Sequence, residues 1–365
     1  MKAALIERLR LALVAVCLLS STAMAQSRDA AAVLCDFDAV SYPSMSSGSD
    51  PEALAKFEAE IRAAAERQQA LAQELLLLEP RHERTAEVMR TRWTLFCTVQ
   101  KDAERVLEET AALDTGATKE LRRAAAGVRA LAAATVWRAA IAARVRIVRE
   151  ALEAAPGDDY VGTALVHLAM KETASIEQQR EILAILETSF AANEAVAGDM
   201  KTIKRLNAAV GKPFTLAFPK AATHGDGAVP ESTEAWVDRA VLLFFDFEKG
   251  DYISESDRDQ VHTWERFAKL EAAERVRVLT IVECQEKTAA KDVFANARKR
   301  SLKSALYADS ADFETSILRR NFRVARSNLA ILVEKGGRLA AWTFRPETLF
   351  AEFDRLSAAP KKRRI

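Results

Sequence analysis

An all-α helical-hairpin array followed by an α/β domain is the fold class encoded by this 365-residue chain. Three observations predict it. Alanine is abundant while Gly (12) and Pro (9) are scarce, which favours long helices over an all-β fold. Residues 51–210 place apolar side chains every three or four positions, the helical period. Beyond Gly211 the pattern changes to short unbroken apolar runs, AVLLFFDF (Ala240 to Phe247) and VRVLTIVEC (Val276 to Cys284), suited to strands buried on both faces of a sheet. The length also exceeds one ordinary core, so two domains are expected.

The chain opens MKAALIERLRLALVAVCLLSSTAMAQ. Lys2, Arg8 and Arg10 form a basic region, Leu11 to Leu19 an apolar one, and Ala23-Met24-Ala25 an A-x-A cleavage site, so residues 1–25 read as a cleaved export signal. Its apolar run is short for a membrane span. Cys17 would suit a lipid anchor, but Val16 before it is too large for a usual lipobox. Removing the signal takes three basic and one acidic residue from totals of 53 and 52. That near-neutral balance, with signs interleaved, offers no footprint for nucleic acid. No later apolar run reaches spanning length, so no membrane span is expected after cleavage.

Residues 26–50 form an N-terminal segment and linker, SYPSMSSGSD being small and polar. Asp50-Pro51 opens a helix, an N-cap with proline at N1. Leu54, Phe57, Ile61, Ala64, Gln68, Leu71, Leu75 and Leu78 give it one apolar stripe up to Glu79-Pro80. The spacing predicts further helices over Arg84 to about Val106, Thr118 to Glu153, Tyr160 to Met170, Ser175 to Phe190 and Met200 to Val210. The ends LLLLEP and ALEAAP look alike, which suggests stacked helical hairpins without a countable repeat.

In residues 211–356, Phe214, Leu216 and Phe218 alternate with Thr215 and Ala217, a period-two strand. The run Ala240 to Phe247 feeds a helix carrying Val261, Trp264, Phe267 and Leu270. Val276 to Cys284 is the second buried strand. Helices over Ala289 to Leu302 and Phe313 to Phe322 flank ALYAD. Glu334-Lys335-Gly336-Gly337 is a hairpin turn, and a helix from Pro346 to Leu356 precedes the basic tail, 357–365, a solvated terminus.

This order of strands and helices resembles a thioredoxin-like fold, and the second half resembles the exported redoxins, the thiol–disulfide reductase branch of that superfamily. GKPFTLAF is similar to the segment that opens those domains, AVLLFFDF to their first central strand, and NLAILVEKGGRL to their cis-proline strand and hairpin. The helical half resembles the helical region attached to some redoxins. The resemblance implies a CxxC after the central strand, but laying the motif over this chain puts Tyr252 and Glu255 at the two cysteine positions and Asn328 at the cis-proline. A reductase needs a low-pKa thiolate and a second thiol to resolve the mixed disulfide. A phenol and a carboxylate supply neither.

Other candidates weigh against a site. Cys284 ends a strand expected to run parallel to the central one, on the sheet edge where ligands of α/β sheets bind. It reads as a lone reactive thiol or a buried strand-end cysteine, and burial preference favours the second. Cys35 and Cys97 are a possible pair in an oxidising compartment, though Cys97 sits on an apolar stripe beside Trp93 and Phe96. His82, His167, His224 and His262 show no metal-ligand spacing; His167 suits a satisfied core histidine and His224 a solvated loop. Asp251, Glu255, Asp257 and Asp259 match a helix N-terminus better than a Ca²⁺ loop. No metal or cofactor is expected. The reading is an exported, non-catalytic thioredoxin-fold protein that binds or scaffolds a protein or peptide; its rival is a divergent thiol–disulfide oxidoreductase using Cys284, alone or with Cys35 or Cys97.

Overall fold

The computed structural model describes residues 28–44, 51–113, 116–217, 223–224, 232–236, 238, 240–247, 269, 276–284, 305–310 and 329–358. These fall into two compact units, one within Met1–Lys101 and Ala112–Ala125, the other within Asp102–Ala111 and Ala126–Ile365. The expected signal at 1–25, the helices around Trp264, at 289–302 and at 313–322, and the tail 359–365 lie outside the described residues.

The first unit starts with α1 (Ala30–Asp38), inside the segment expected to be a linker. Asp29 caps it by accepting from the Ala32 amide at 2.8 Å, and Val33, Leu34 and Phe37 form its buried stripe. Helix α2 (Pro51–Leu78) buries Ala65, Leu71, Ala72 and Leu75. The apolar stripe places its last residue, Leu78, in the core, yet Leu78 stays 44% exposed beside Leu77 at 75%, because the helix ends there. Helix α3 (Thr85–Leu95) sets Trp93 in the same core and widens into a π-turn, Phe96–Gln100. The helix expected to continue to Val106 stops there because Lys101 turns left-handed, with φ 58°. Asp102 then accepts from the Arg105 amide and starts α4 (Ala103–Ala111).

The helix expected over Thr118 to Glu153 is two. Helix α5 (Lys119–Thr135) ends where the β-branched pair Thr135-Val136 meets Trp137. The amides of Val136 and Trp137 both donate to the Ala132 carbonyl, at 3.1 and 3.0 Å, so the regular ladder is lost. Helix α6 (Ile141–Ala154) follows. Helix α7 (Asp159–His167), capped by Asp158, passes into a second π-turn, Leu168–Glu172. Helices α8 (Ile176–Ser189) and α9 (Glu194–Ala209) are capped by Ser175 and Asn193, so α9 begins six residues before the expected Met200.

One sheet holds all six described strands: β1 (Thr223–His224), β2 (Ala240–Phe247), β3 (Val276–Cys284), β4 (Ala305–Ser310), β5 (Ala330–Glu334) and β6 (Arg338–Thr343), in the order β1-β4-β3-β2-β5-β6. Strands β2, β3 and β4 are parallel, while β5 and β6 form an antiparallel hairpin beside β2. The hairpin turns through Gly336 and Gly337, at φ 101° and 78°, values that Gly adopts without strain. His224, expected in a loop, belongs to β1 and pairs with Leu306.

The expected strand at 214–218 is not a regular one. Pro213 has no amide to donate, the Phe214 amide bonds to Gly337, and Leu216 exchanges bonds with Thr233. Its hydrogen bonds go to two different partners, so isolated bridges at Pro213 and Ala217 replace a ladder.

Alternation along the strands divides the sheet's two faces. Val276, Val278, Ala330, Leu332 and Ala341 pack with Leu349, Phe350 and Phe353 of the C-terminal helix α10 (Leu349–Ala358). The opposite set, Val241, Leu243, Leu279, Ile281, Ile331 and Val333, joins a core with Leu165, Leu168, Ile182, Leu186, Phe190, Ile203 and Leu206 from α7, its π-turn, α8 and α9. A bulge in β6 serves this second core. Val333 faces Leu339 and Leu332 faces Ala341, so Ala340 is the extra residue. That one-residue shift lets Leu339 and Trp342 face the same core, which strict alternation forbids.

This shared core predicts that residues 211–365 expressed alone do not reach a rigid fold. Six apolar strand side chains lose their cover, at about 1.5–3 kcal/mol each, on the order of 10 kcal/mol and comparable to a whole domain's stability. Near-ultraviolet circular dichroism of that fragment beside the full chain is the check: a full-strength tertiary signal from the fragment refutes the dependence.

Candidate functional site

Strands β2, β3 and β4 end at one edge of the sheet. Strands β2 and β3 run in parallel with Phe247 level with Glu283, so Cys284 ends β3 one residue beyond the last residue of β2. Cys284 is in turn level with Ser310, the end of β4. Strand β5 runs the other way, with Ala330 opposite Phe244, so its first residue lies at the same edge. The segments after β2 and before β5, which carry Tyr252, Glu255 and Asn328, therefore both join the sheet at the edge where β3 ends. Tyr252, Glu255, Asn328, His262 and the acidic group at 251–259 lie outside the described residues, so their side chains are not placed. The edge is the carboxyl end of parallel strands, where α/β sheets hold ligands.

Two further cysteines among the described residues lie in the first unit. Cys97 is 2% exposed in its core, and Cys35 is exposed on α1. Among the described residues no group of three His, Cys, Asp or Glu side chains is arranged to hold a metal ion. Nor is any described helix long and apolar enough to cross a membrane.

A second polar centre, not visible in the sequence pattern, sits where the π-turn after α7 meets the end of β6. Glu172 closes that turn with its side chain 7% exposed. Arg144 of α6 donates to its Oε2 at 2.7 Å, and Arg345, just beyond β6, donates to Oε1 at 2.9 Å. The His167 ring nitrogen Nε2 lies 3.2 Å from the same Oε1. Arg144 also closes the end of α5, where its guanidinium donates to the carbonyls of Ala133 (2.8 Å) and Ala134, which would otherwise be left unpaired. Burial alone would push the Glu172 carboxyl up, but hydrogen bonds from His167 and Arg144, with the charges of Arg144 and Arg345, hold it well below the usual carboxylate range. His167 is held away from its charged form: burial pushes it down and Lys171 and Arg144 add to that, against the opposing pull of Glu172.

The same junction is pinned through the backbone. The Phe344 amide donates to Met170 O at 2.7 Å, and Thr343 Oγ1 donates to the same carbonyl at 3.1 Å. Gln179 of α8, fully buried, directs Nε2 toward the carbonyls of Ala169, Thr173 and Trp342 at 3.0–3.2 Å. Trp342 donates its indole N–H to Asn207 of α9 at 3.0 Å. Every member of this set holds the helices to β6. Glu172 takes donors on both oxygens and is held in its charged form, and the arrangement fastens the helices to the end of β6.

No protein-family model matches the chain, and no curated protein matches it. Solved structures similar to it include a thioredoxin-like superfamily protein, at 14% identity over 40% of this chain and 96% of the other, with a TM-score of 0.33. The thioredoxin domain of a thiol-disulfide oxidoreductase from Bacteroides vulgatus gives 13% over 40% and 97%, with 0.32. A thioredoxin-like protein from Bacteroides caccae gives 11% over 88% and 98%, with 0.33. At these identities and scores they carry no activity to this chain.

The fastening generates a quantitative expectation. Removing the carboxylate in Glu172→Ala leaves two guanidiniums facing each other in a site with little water, and loss of one partner of such a buried set costs about 3–5 kcal/mol. Urea unfolding at neutral pH measures it. A loss below about 1 kcal/mol, the range of exposed pairs, shows that the set is solvated and unimportant.

Proposed function

We propose that this chain is an exported, non-catalytic thioredoxin-fold protein that binds or scaffolds a protein or peptide. The observation that carries the reading is cysteine arithmetic. Of four cysteines in the whole sequence, only Cys284 lies beyond residue 211, so the sheet's own segment has no pair of thiols to cycle between dithiol and disulfide. Tyr252 and Glu255 stand where the resemblance puts that pair. The strand directions support a thioredoxin-like sheet: parallel strands on one side of β2, an antiparallel hairpin on the other, and a terminal helix against one face. Export rests on the basic, apolar and A-x-A sequence of residues 1–25.

Binding follows from what such a platform retains without its thiols. A protein partner suits the edge where β2, β3 and β4 end, because loops on a rigid sheet carry recognition on α/β folds. The helical residues of the second unit share a core with that sheet, so they act as its support and not as a tethered second binder.

The rival, a divergent oxidoreductase, is favoured by one placement only: Cys284 ends β3 at the edge from which the chain leaves β2. Turnover of a disulfide-bonded protein substrate by the full chain, beside Cys284→Ala, separates the two. No turnover from either folded protein is the expected result. Activity present in the native chain and abolished in the variant makes Cys284 the nucleophile and overturns the binding reading.

A further inference from the structure

The Glu172 set contains an arrangement that the fastening alone does not require. Oε1 of Glu172 is shared: Arg345 donates to it at 2.9 Å, while His167 Nε2 stands 3.2 Å from it. The three partners are unequal. Arg144 is 8% exposed and tied to two further carbonyls, so it has nowhere to go. His167 is 20% exposed and fixed by its helix. Arg345 is 32% exposed, and its Nε lies 3.6 Å from a second carboxylate, Glu347, itself one-third exposed.

With His167 neutral, one buried carboxylate faces two guanidiniums. A proton on His167 makes a third cation beside Glu172, the one buried anion, with only the part-exposed Glu347 next to Arg345 to offset it, so the three compete for the Glu172 carboxylate. Arg345 is the member with both solvent access and another anion at hand. We propose that His167 is a pH-sensitive release for the junction between the α7 π-turn and β6: protonation displaces Arg345 from Glu172 toward Glu347 and solvent, loosening the end of β6 from the helices.

Among the described residues, the charges bearing on His167 come from three stretches. Its own segment contributes Glu172 and Lys171, α6 contributes Arg144, and the stretch after β6 contributes Arg345 and, through it, Glu347. Among the described residues, those that α8 and α9 bury are apolar apart from the amides Gln179 and Asn207. The direction in which His167 is pushed agrees with the geometry: the native arrangement holds the ring neutral more strongly than an unfolded chain does. By linkage, the closed junction is intact above the ordinary histidine value, weakens as pH falls from there to the lower folded-state value, and changes no further below it.

The backbone bond from Phe344 to Met170 is the reporter, since it lies between the two halves of the junction. Hydrogen exchange of a peptide spanning residues 338–345 is measured in the full chain from pH 7.5 to 5, corrected for intrinsic rates, beside His167→Gln. The expected result is protection that falls in the native chain, by up to about tenfold per pH unit, only between the ordinary histidine value and the lower folded-state one, and stays level in His167→Gln. Equal loss in both proteins, or none in the native chain, overturns the proposal. A second readout does not depend on the variant folding: titration of the His167 ring by NMR in the native chain, where a midpoint above the ordinary histidine value overturns it equally.

Discussion

Glu172 is a carboxylate that the fold has taken out of water, and much of the second unit is arranged to meet the cost. An isolated buried charge is prohibitively expensive, so it needs partners already in place. Those partners come from three separate stretches: α6 supplies Arg144, the end of α7 supplies His167, and the residues after β6 supply Arg345. Placing all three fixes how the helical hairpins meet the sheet. Arg144 extends the constraint backwards, because its bonds to Ala133 and Ala134 close the end of α5 and so set where the α5–α6 turn occurs. The π-turn has a role in the same geometry. An extra residue in the turn 168–172 presents the Met170 carbonyl to two donors from the β6 end while Glu172 still reaches its cations.

The apolar side of that junction depends on a comparable local irregularity. Without Ala340 as the extra residue in β6, Leu339 and Trp342 would face opposite sides of the sheet. With it, both join the core built with α7, α8 and α9, and Trp342 is turned so that Asn207 accepts its indole proton. A bulge and a π-turn, each a single added residue, thus meet across one interface. Hydrogen bonding alone is a modest net contributor. Here it fixes register, while burial of Leu165, Leu168, Leu186, Phe190 and their strand partners supplies most of the free energy.

Strong periodic signals are legible in the sequence and context-dependent ones are not. The runs Ala240 to Phe247 and Val276 to Cys284 are strands with those bounds, and the Glu334 to Gly337 turn joins β5 to β6. In both, local composition and tertiary role agree. The stretches 84–106 and 118–153 read as single helices because apolar spacing continues across Lys101 and Val136; one left-handed residue or one β-branched junction breaks a helix without disturbing the stripe. Phe214 to Phe218 alternates as a strand does, yet Pro213 and divided partners deny it a ladder. The Glu172 set is invisible in the sequence because its members are 28, 5 and 173 residues from Glu172; His167 alone reads as a core histidine, and each of the others as an ordinary surface charge. Periodicity tells which residues are buried; it does not tell against what, and so the common core of helices and sheet has no signature.

That common core bears on how a thioredoxin-like sheet can be used once it lacks a pair of thiols. In this chain one face of the sheet is committed to helices from its own N-terminal half, and the other to α10. What stays available on the described strands is the edge where β2, β3 and β4 end, together with loops of a chain segment whose only sulfur nucleophile is Cys284. A single thiol can form a mixed disulfide, but nothing in that segment resolves it, so a covalent encounter would end in capture and not in turnover. The same edge without chemistry is a preorganised surface, rigid because both faces behind it are packed, and preorganisation is what a binding site gains most from. Commitment of both faces and a single cysteine in this segment therefore bear on the proposed binding role in the same direction.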